Sequence, residues 1–263
     1  TTKKVGLILA GNIPLVGLHD VISVVLSNHI PLIKLSSKDK QMLPFLLNNW
    51  KEFSENEIEY EFVERLTDFD AVIATGSNNT ARYLEYYFKN HLSIIRKNRT
   101  SVAVIKGDET EVELKLLAQD IFQYFGLGCR NVTRLFIPEG FLIDKVFESF
   151  IDFKEIVNHN KYANNYDYNR AVYLLNQDKF WDNNFVMLKE DSALFSPLSV
   201  IHFSRYSSLD DVRNFIQENE EDIQCVVGKA DLGIETVYFG EAQNPGLDTY
   251  ADNVDTMQFL EVI

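Results

Sequence analysis

The chain has 263 residues, 46% of them hydrophobic and 24% charged, a composition that excludes a disordered or fibrous protein. Asp and Glu number 39 against 25 Lys and Arg, a net charge of −14, which argues against nucleic acid as the main partner because phosphate neutralisation needs a basic face. An anionic small ligand needs only a local positive site and stays open.

No apolar run reaches the roughly 18–20 residues of a membrane span. Thr1-Thr2-Lys3-Lys4 precedes only a short apolar run, unlike a signal peptide. Cys129 and Cys225 are too far apart for a CxxC site or a disulfide framework, so the expectation is free thiols in a reducing cytoplasm. The five histidines lack HxxxH and HExxH spacing, and no metal is expected.

Strand and helix patterns alternate through the first hundred residues. Val5 to Ala10 is a strand-length apolar run, and Leu18 to Leu26 has helical spacing. Ile30 to Leu35 reads as a strand, after which Ser36 and Ser37 can cap a helix carrying Met42, Leu43, Leu46 and Leu47. Ile58 to Val63 and Asp70 to Thr75 are further strands, the second followed by Gly76-Ser77-Asn78-Asn79 and a helix through Phe88. This alternation implies an α/β protein built on mainly parallel sheet. Ile95 to Arg99 is a polar break and the expected domain boundary.

Beyond it, Ser101 to Lys106 is a strand, and Asp108 with Glu111 begins a helix burying Leu114, Leu117, Ile121 and Phe125, stopped by Gly126. Arg134 to Ile137 is a strand. Helices near 142–157, 166–179 and 208–219 and strands near 184–188, 199–204 and 223–227 follow. Asn158 to Asn169 is rich in Asn and Tyr and reads best as a polar surface loop.

Cys129 lies between a helix stop and a strand start, flanked by Gly128 and Arg130. Backbone N–H groups on such a turn can stabilise an oxyanion and Arg130 can favour a thiolate, although a free cysteine is also a good small core residue. Cys225, inside an apolar strand, reads as core. Gly76-Ser77 is either an anion site at a helix start or a capped turn. Lys34 and Asn12 each follow a strand at the edge where open sheets take ligands, and each is also an ordinary strand-end residue.

The segments LAGNIPLVGLHD (9–20), IKLSSKD (33–39), DAVIATGSNNTARY (70–83) and FGLGCRNVTRLFIPEG (125–140) together resemble the aldehyde dehydrogenase superfamily, and more closely its acyl-CoA reductase branch, the fatty-acid reductases of bacterial bioluminescence. The resemblance implies two parallel-sheet α/β domains: a Rossmann-like cofactor domain over 1–98, lacking its N-terminal part, and a catalytic domain over 99–238. A tail over 239–263 returns to the cofactor domain or joins a subunit interface. It makes Cys129 the nucleophile and Asn12 the oxyanion donor. Lys34, Ser36, Ser37, Thr75, Gly76 and Ser77 become the cofactor contacts, and a homodimer is expected.

Phe195-Ser196-Pro197 matches the superfamily's Phe-Gly-Pro, but Ala193 stands where a ribose-binding glutamate is expected. No acid stands at Ile95 or Arg96, where hydrolytic relatives carry a water-activating carboxylate. Ser37 and Lys38, with Lys34 nearby, suit the 2′-phosphate of NADPH, with Asp39 the residue that could oppose it. The expected reaction is NADPH-dependent reduction of an acyl-CoA to an aldehyde. The alternatives are a non-catalytic nucleotide- or partner-binding relative and a CoA-acylating aldehyde dehydrogenase running oxidatively.

Overall fold

A strand that must wait for a crossover helix pairs in parallel with the strand that follows. The computed structural model, which describes residues 1–263, has this architecture. Strand β1 (Lys4–Ile8) leads to helix α1 (Leu18–Leu26), β2 (Ile30–Lys34), α2 (Met42–Phe53), β3 (Glu61–Phe62), β4 (Ala71–Thr75), α3 (Asn78–Phe88) and β5 (Leu92–Arg96). These strands form one wholly parallel sheet in the order β3-β2-β1-β4-β5. Val5, Leu7, Ile33 and Ile73 of the sheet pack with Val21 and Val24 of α1 and Leu43 and Leu47 of α2.

Two expectations for this region need correction. Ser36 and Ser37 do not cap α2, which starts at Met42 after Gln41 with no side-chain cap. Ser36 instead closes a local turn, its Oγ accepting the Lys38 N–H and its carbonyl the Asp39 N–H. Ile95 and Arg96 do not lie in a polar break. They end β5, paired with Ala74 and Thr75. A charged residue is tolerated there because Arg96 Nη1 donates to Asp20 Oδ2 of α1 at 2.5 Å and Nη2 donates to Thr256 Oγ1 at 3.0 Å.

The following segment is β6 (Thr100–Val104), α4 (Glu111–Phe122), a 3₁₀ turn at Gln123–Gly126, β7 (Val132–Pro138), α5 (Asp144–Phe150), a 3₁₀ stretch at Ile151–Asn158 and α6 (Asn160–Asn176). Then come β8 (Trp181–Asp182), β9 (Met187–Glu190), β10 (Val200–Tyr206), α7 (Leu209–Glu218) and β11 (Ile223–Gly228). The sheet order is β11-β6-β7-β10-β9-β8, parallel except for β8, which runs antiparallel to β9.

The capping box of α4 is Thr110 with Glu113, not Asp108 with Glu111. The helix ends at Phe122, so Phe125 is off its buried stripe and exposed. Asn158 to Asn169 is not a surface loop. Most of it is α6, whose Tyr162, Tyr166, Asn169 and Tyr173 are buried at i, i+4, i+7 and i+11.

The chain divides into two compact units, Thr1–Asn98 with Tyr250–Ile263, and Arg99–Thr249. The tail 239–263 is therefore split, and its last part carries α8 (Thr256–Glu261), whose Leu260 joins the core of the first unit. Arg96 joins β5, α1 and α8 through one buried guanidinium. Arg96→Ala leaves the Asp20 carboxylate buried without its cation and should lower unfolding free energy by about 3–5 kcal/mol in urea titration. A loss under about 1 kcal/mol would show that the pair does not hold these elements together.

Candidate active site

In the first sheet the strand order reverses between β1 and β4. Open α/β sheets take ligands outside the carboxyl ends of the strands at such a switch point. Gly11 and Asn12 leave β1 at this edge, Lys34, Ser36 and Ser37 end or leave β2, and Thr75, Gly76 and Ser77 end or leave β4. A Cβ on Gly11 would lie 2.3 Å from Ser36 Oγ, so the loops after β1 and β2 touch and only glycine fits between them. A Cβ on Gly76 would lie 2.8 Å from Thr80 Cβ, so glycine lets the chain pass close over the start of α3.

Ser77 is the N-cap of α3, its Oγ accepting the Thr80 N–H at 3.3 Å. A helix start at a sheet's carboxyl edge favours an anion. Lys34, Ser37 and Lys38 are exposed there. Asp39 is half-buried, its Oδ2 accepting the Leu15 N–H of the loop after β1 at 2.9 Å. This edge of the first unit thus brings together close-approach glycines, a helix start and exposed cations.

The second unit builds its candidate site at the opposite, amino edge of its sheet. After α4 the chain turns through consecutive left-handed residues, Tyr124 (φ 54°), Phe125 (φ 59°) and Gly126 (φ 70°). Such backbone costs an aromatic residue about 1–2 kcal/mol. The Phe125 ring stacks on His159 with centroids 3.9 Å apart. Residues 128–131 then form a turn, closed by Asn131 N–H to Gly128 O at 3.2 Å, with Cys129 exposed on it. The buried Asn131 side chain braces the turn: Oδ1 accepts the Gly128 N–H at 2.7 Å, and Nδ2 donates to the carbonyls of Asp120, Ile121 and Gln123 at the end of α4.

Ser101 Oγ donates to Cys129 O at 3.2 Å and lies 3.1 Å from Cys225 Sγ. Both neighbours of β6 shift register beside Ser101, β7 between Val132 and Arg134 and β11 between Ile223 and Val226. Bulges of this kind re-aim side chains at strand ends. Burial pushes the Cys225 thiol up, so it stays protonated while Cys129 faces solvent.

The loop with Phe195-Ser196-Pro197 reaches the same edge, since a Cβ on Gly126 would lie 3.3 Å from Leu198 Cδ1. Asn169 of α6 donates to Leu198 O, which gives the Asn/Tyr-rich helix a part in holding this loop. The Ala193 carbonyl is taken by Arg134 Nη1 at 2.8 Å.

The family model of the acyl-CoA reductases (LuxC) matches residues 3–146. The chain belongs to that family. All four motif segments quoted above lie inside the match. Solved structures with the same fold include an aldehyde dehydrogenase of Mycobacterium tuberculosis complexed with NAD+, at 15% identity and TM-score 0.63, covering 89% of this chain and 60% of that one. An indole-3-acetaldehyde dehydrogenase complexed with NAD+ aligns at 12% identity and TM-score 0.68, over 88% of this chain and 57% of its own. An aldehyde dehydrogenase of Bacillus cereus, also an NAD+ complex, gives 14% and 0.65 over 85% and 55%. This chain therefore spans less than two thirds of the length of these structures. No curated protein sequence matches it.

In this acyl-CoA reductase family member, Ile95 and Arg96 offer no carboxylate that could activate water. Arg96 is locked to Asp20. Asp191 accepts the Ala193 N–H and an ion pair from Lys189, and the first of these holds its carboxyl below the usual carboxylate range. Sequence reasoning passed over Asn131, Ser101 and Asp120. Only Asn131 left a signal, a side-chain amide two residues past the cysteine at a strand start.

Asp120 is fully buried on α4 and accepts the N–H groups of Gly240 and Ala242 at 2.7 and 3.0 Å. Desolvation outweighs these bonds and pushes its pKa up to about 6. The folded chain then holds this proton more tightly than the unfolded chain, so Asp120 favours folding below pH 4 relative to neutral pH and loses that contribution as pH rises through 6. The stability of the native protein minus that of Asp120→Asn should fall by about 1–3 kcal/mol between pH 4 and pH 7.5. A flat difference across that range would show an ordinary carboxylate.

Proposed function

We propose that the chain carries the chemistry of an acyl-CoA reductase, reducing an acyl-CoA thioester to an aldehyde through an acyl group held on Cys129. The carrying observation is the exposed Cys129 on a braced turn, inside the segment that matches the family. The Cys129 thiolate attacks the thioester carbonyl. The carbon–sulfur bond to CoA breaks, CoA leaves as its thiolate, and the acyl group stays on Sγ. The Cys129 N–H stabilises the tetrahedral oxyanion, and the family resemblance gives Asn12 the part of a second donor.

The first-unit cradle fits a nicotinamide nucleotide. Gly76, Ser77 and the start of α3 would hold its diphosphate, Thr75 borders them, and Lys34, Ser36 and Ser37 would face its adenosine half. When bound, such a nucleotide supplies the hydride that completes reduction to aldehyde. The lack of a placed base at Arg96 and the engaged Asp191 favour CoA over water as the group exchanged with the acyl chain.

A second reading, a nucleotide-binding relative without turnover, draws on Ala193. That residue offers no carboxylate to a ribose, and its carbonyl is already engaged by Arg134. Incubation with a long-chain acyl-CoA and mass spectrometry separates the two. The first reading expects an acyl adduct on Cys129 and none in Cys129→Ala, with aldehyde formation lost by several orders of magnitude in that variant. No adduct on the native chain, or full activity in folded Cys129→Ala, would remove it.

The cofactor is proposed to be NADPH. Lys34, Ser37 and Lys38 are exposed at the cradle, and Asp39, which would repel a 2′-phosphate, is held by Leu15. Fluorescence titration should show NADPH binding more tightly than NADH, with the gap narrowed in Lys38→Ala. Tighter binding of NADH would overturn this preference.

A further inference from the structure

Gly128 C=O and Cys129 N–H belong to one peptide unit, and no peptide bond in the chain is cis. In a trans peptide the two groups point in opposite directions. The Gly128 carbonyl is turned into the loop by the Asn131 N–H, so the Cys129 N–H is turned out of it. Whatever fixes Gly128 therefore aims the Cys129 N–H.

Asn131 fixes Gly128 twice, with its backbone N–H to Gly128 O and with its side-chain Oδ1 to the Gly128 N–H. Its Nδ2 is anchored to the carbonyls that end α4 at 3.2, 3.0 and 2.8 Å. Helix ends leave these carbonyls without intrahelical partners, so the amide is held by acceptors that need it. Asn131 is 1% exposed, and every polar atom of its side chain is engaged.

From this geometry we infer that Asn131 is a positioning residue: it ties the turn to the rigid end of α4 and thereby aims the Cys129 N–H at the oxyanion formed on a substrate carbonyl. The inference rests on the proposed role of Cys129 as acyl acceptor. It makes a specific demand. Acylation of Sγ passes through an oxyanion and needs the aimed N–H, whereas alkylation of the same Sγ by iodoacetamide is a displacement at saturated carbon and does not.

The test compares both rates at Cys129 in the full chain, by mass spectrometry, for the native protein, Asn131→Ala and Gly128→Ala. The second variant keeps the buried amide. An added Cβ at Gly128 meets Asn131 Oδ1 at 3.0 Å and nothing else closer than 4.0 Å, so it disturbs this contact from the other side. It also carries the test if Asn131→Ala does not fold.

Acylation by a long-chain acyl-CoA should slow by about 10- to 100-fold in each folded variant while alkylation changes by less than about threefold. Equal slowing of both reactions, or no slowing of acylation, would overturn the positioning role. A native protein that is alkylated but never acylated would instead overturn the proposed function on which the role stands.

Discussion

A parallel strand cannot be joined to its neighbour by a tight turn. The chain must cross back over the sheet, and every loop after a strand then emerges at one edge. That constraint governs the first unit. The segments after β1, β2 and β4 come from residues 11, 35 and 76, yet they open on one edge, with the strand order reversing between β1 and β4. The contact of Gly11 with Ser36 and the capping of α3 by Ser77 are local refinements of a cradle that the topology had already placed.

The second unit obeys the same pairing rule but uses its other edge. Its site loops precede β7 and β10 instead of following them. Nothing in strand pairing organises loops there, and buried polar side chains do it instead. Asn131 binds the cysteine turn to α4, Arg134 holds Asp191 and Ala193, Asp120 holds Gly240 and Ala242, and Asn169 holds Leu198. Each satisfies backbone groups that would otherwise be buried unpaired, at a cost of about 1–3 kcal/mol apiece. These braces are the reason an irregular segment can hold a definite shape. The left-handed run at Tyr124 and Phe125 persists because the structure on both sides of it is held.

Most of the fold was legible in the chain because short apolar runs and helical spacing report burial directly. Strands β1, β2, β4, β6, β7, β10 and β11 and helices α1, α3 and α7 lie where periodicity puts them. The misses have separate causes. Arg96 made Ile95 to Arg99 look like a break, because its buried partner Asp20 is 76 residues away and invisible to local pattern. The tyrosines of α6 made Asn158 to Asn169 look wet, because each hydroxyl and amide hides a large apolar or hydrogen-bonded body. Phe125 was counted on α4 because helical spacing continues past a point where the backbone does not.

The sequence by itself determined the α/β class, the parallel pairing, the family resemblance and the candidates Cys129, Asn12, Lys34, Ser36, Ser37, Thr75, Gly76 and Ser77. These follow from periodicity and from motifs a dozen or so residues long, which act over short stretches of chain. The tertiary structure alone decided that Asp39 faces Leu15, that Cys225 leans on Ser101, and that Asn131 holds the Cys129 turn. Such choices depend on which backbone donors and acceptors are left unpaired once the sheets have formed, and that accounting exists only in three dimensions.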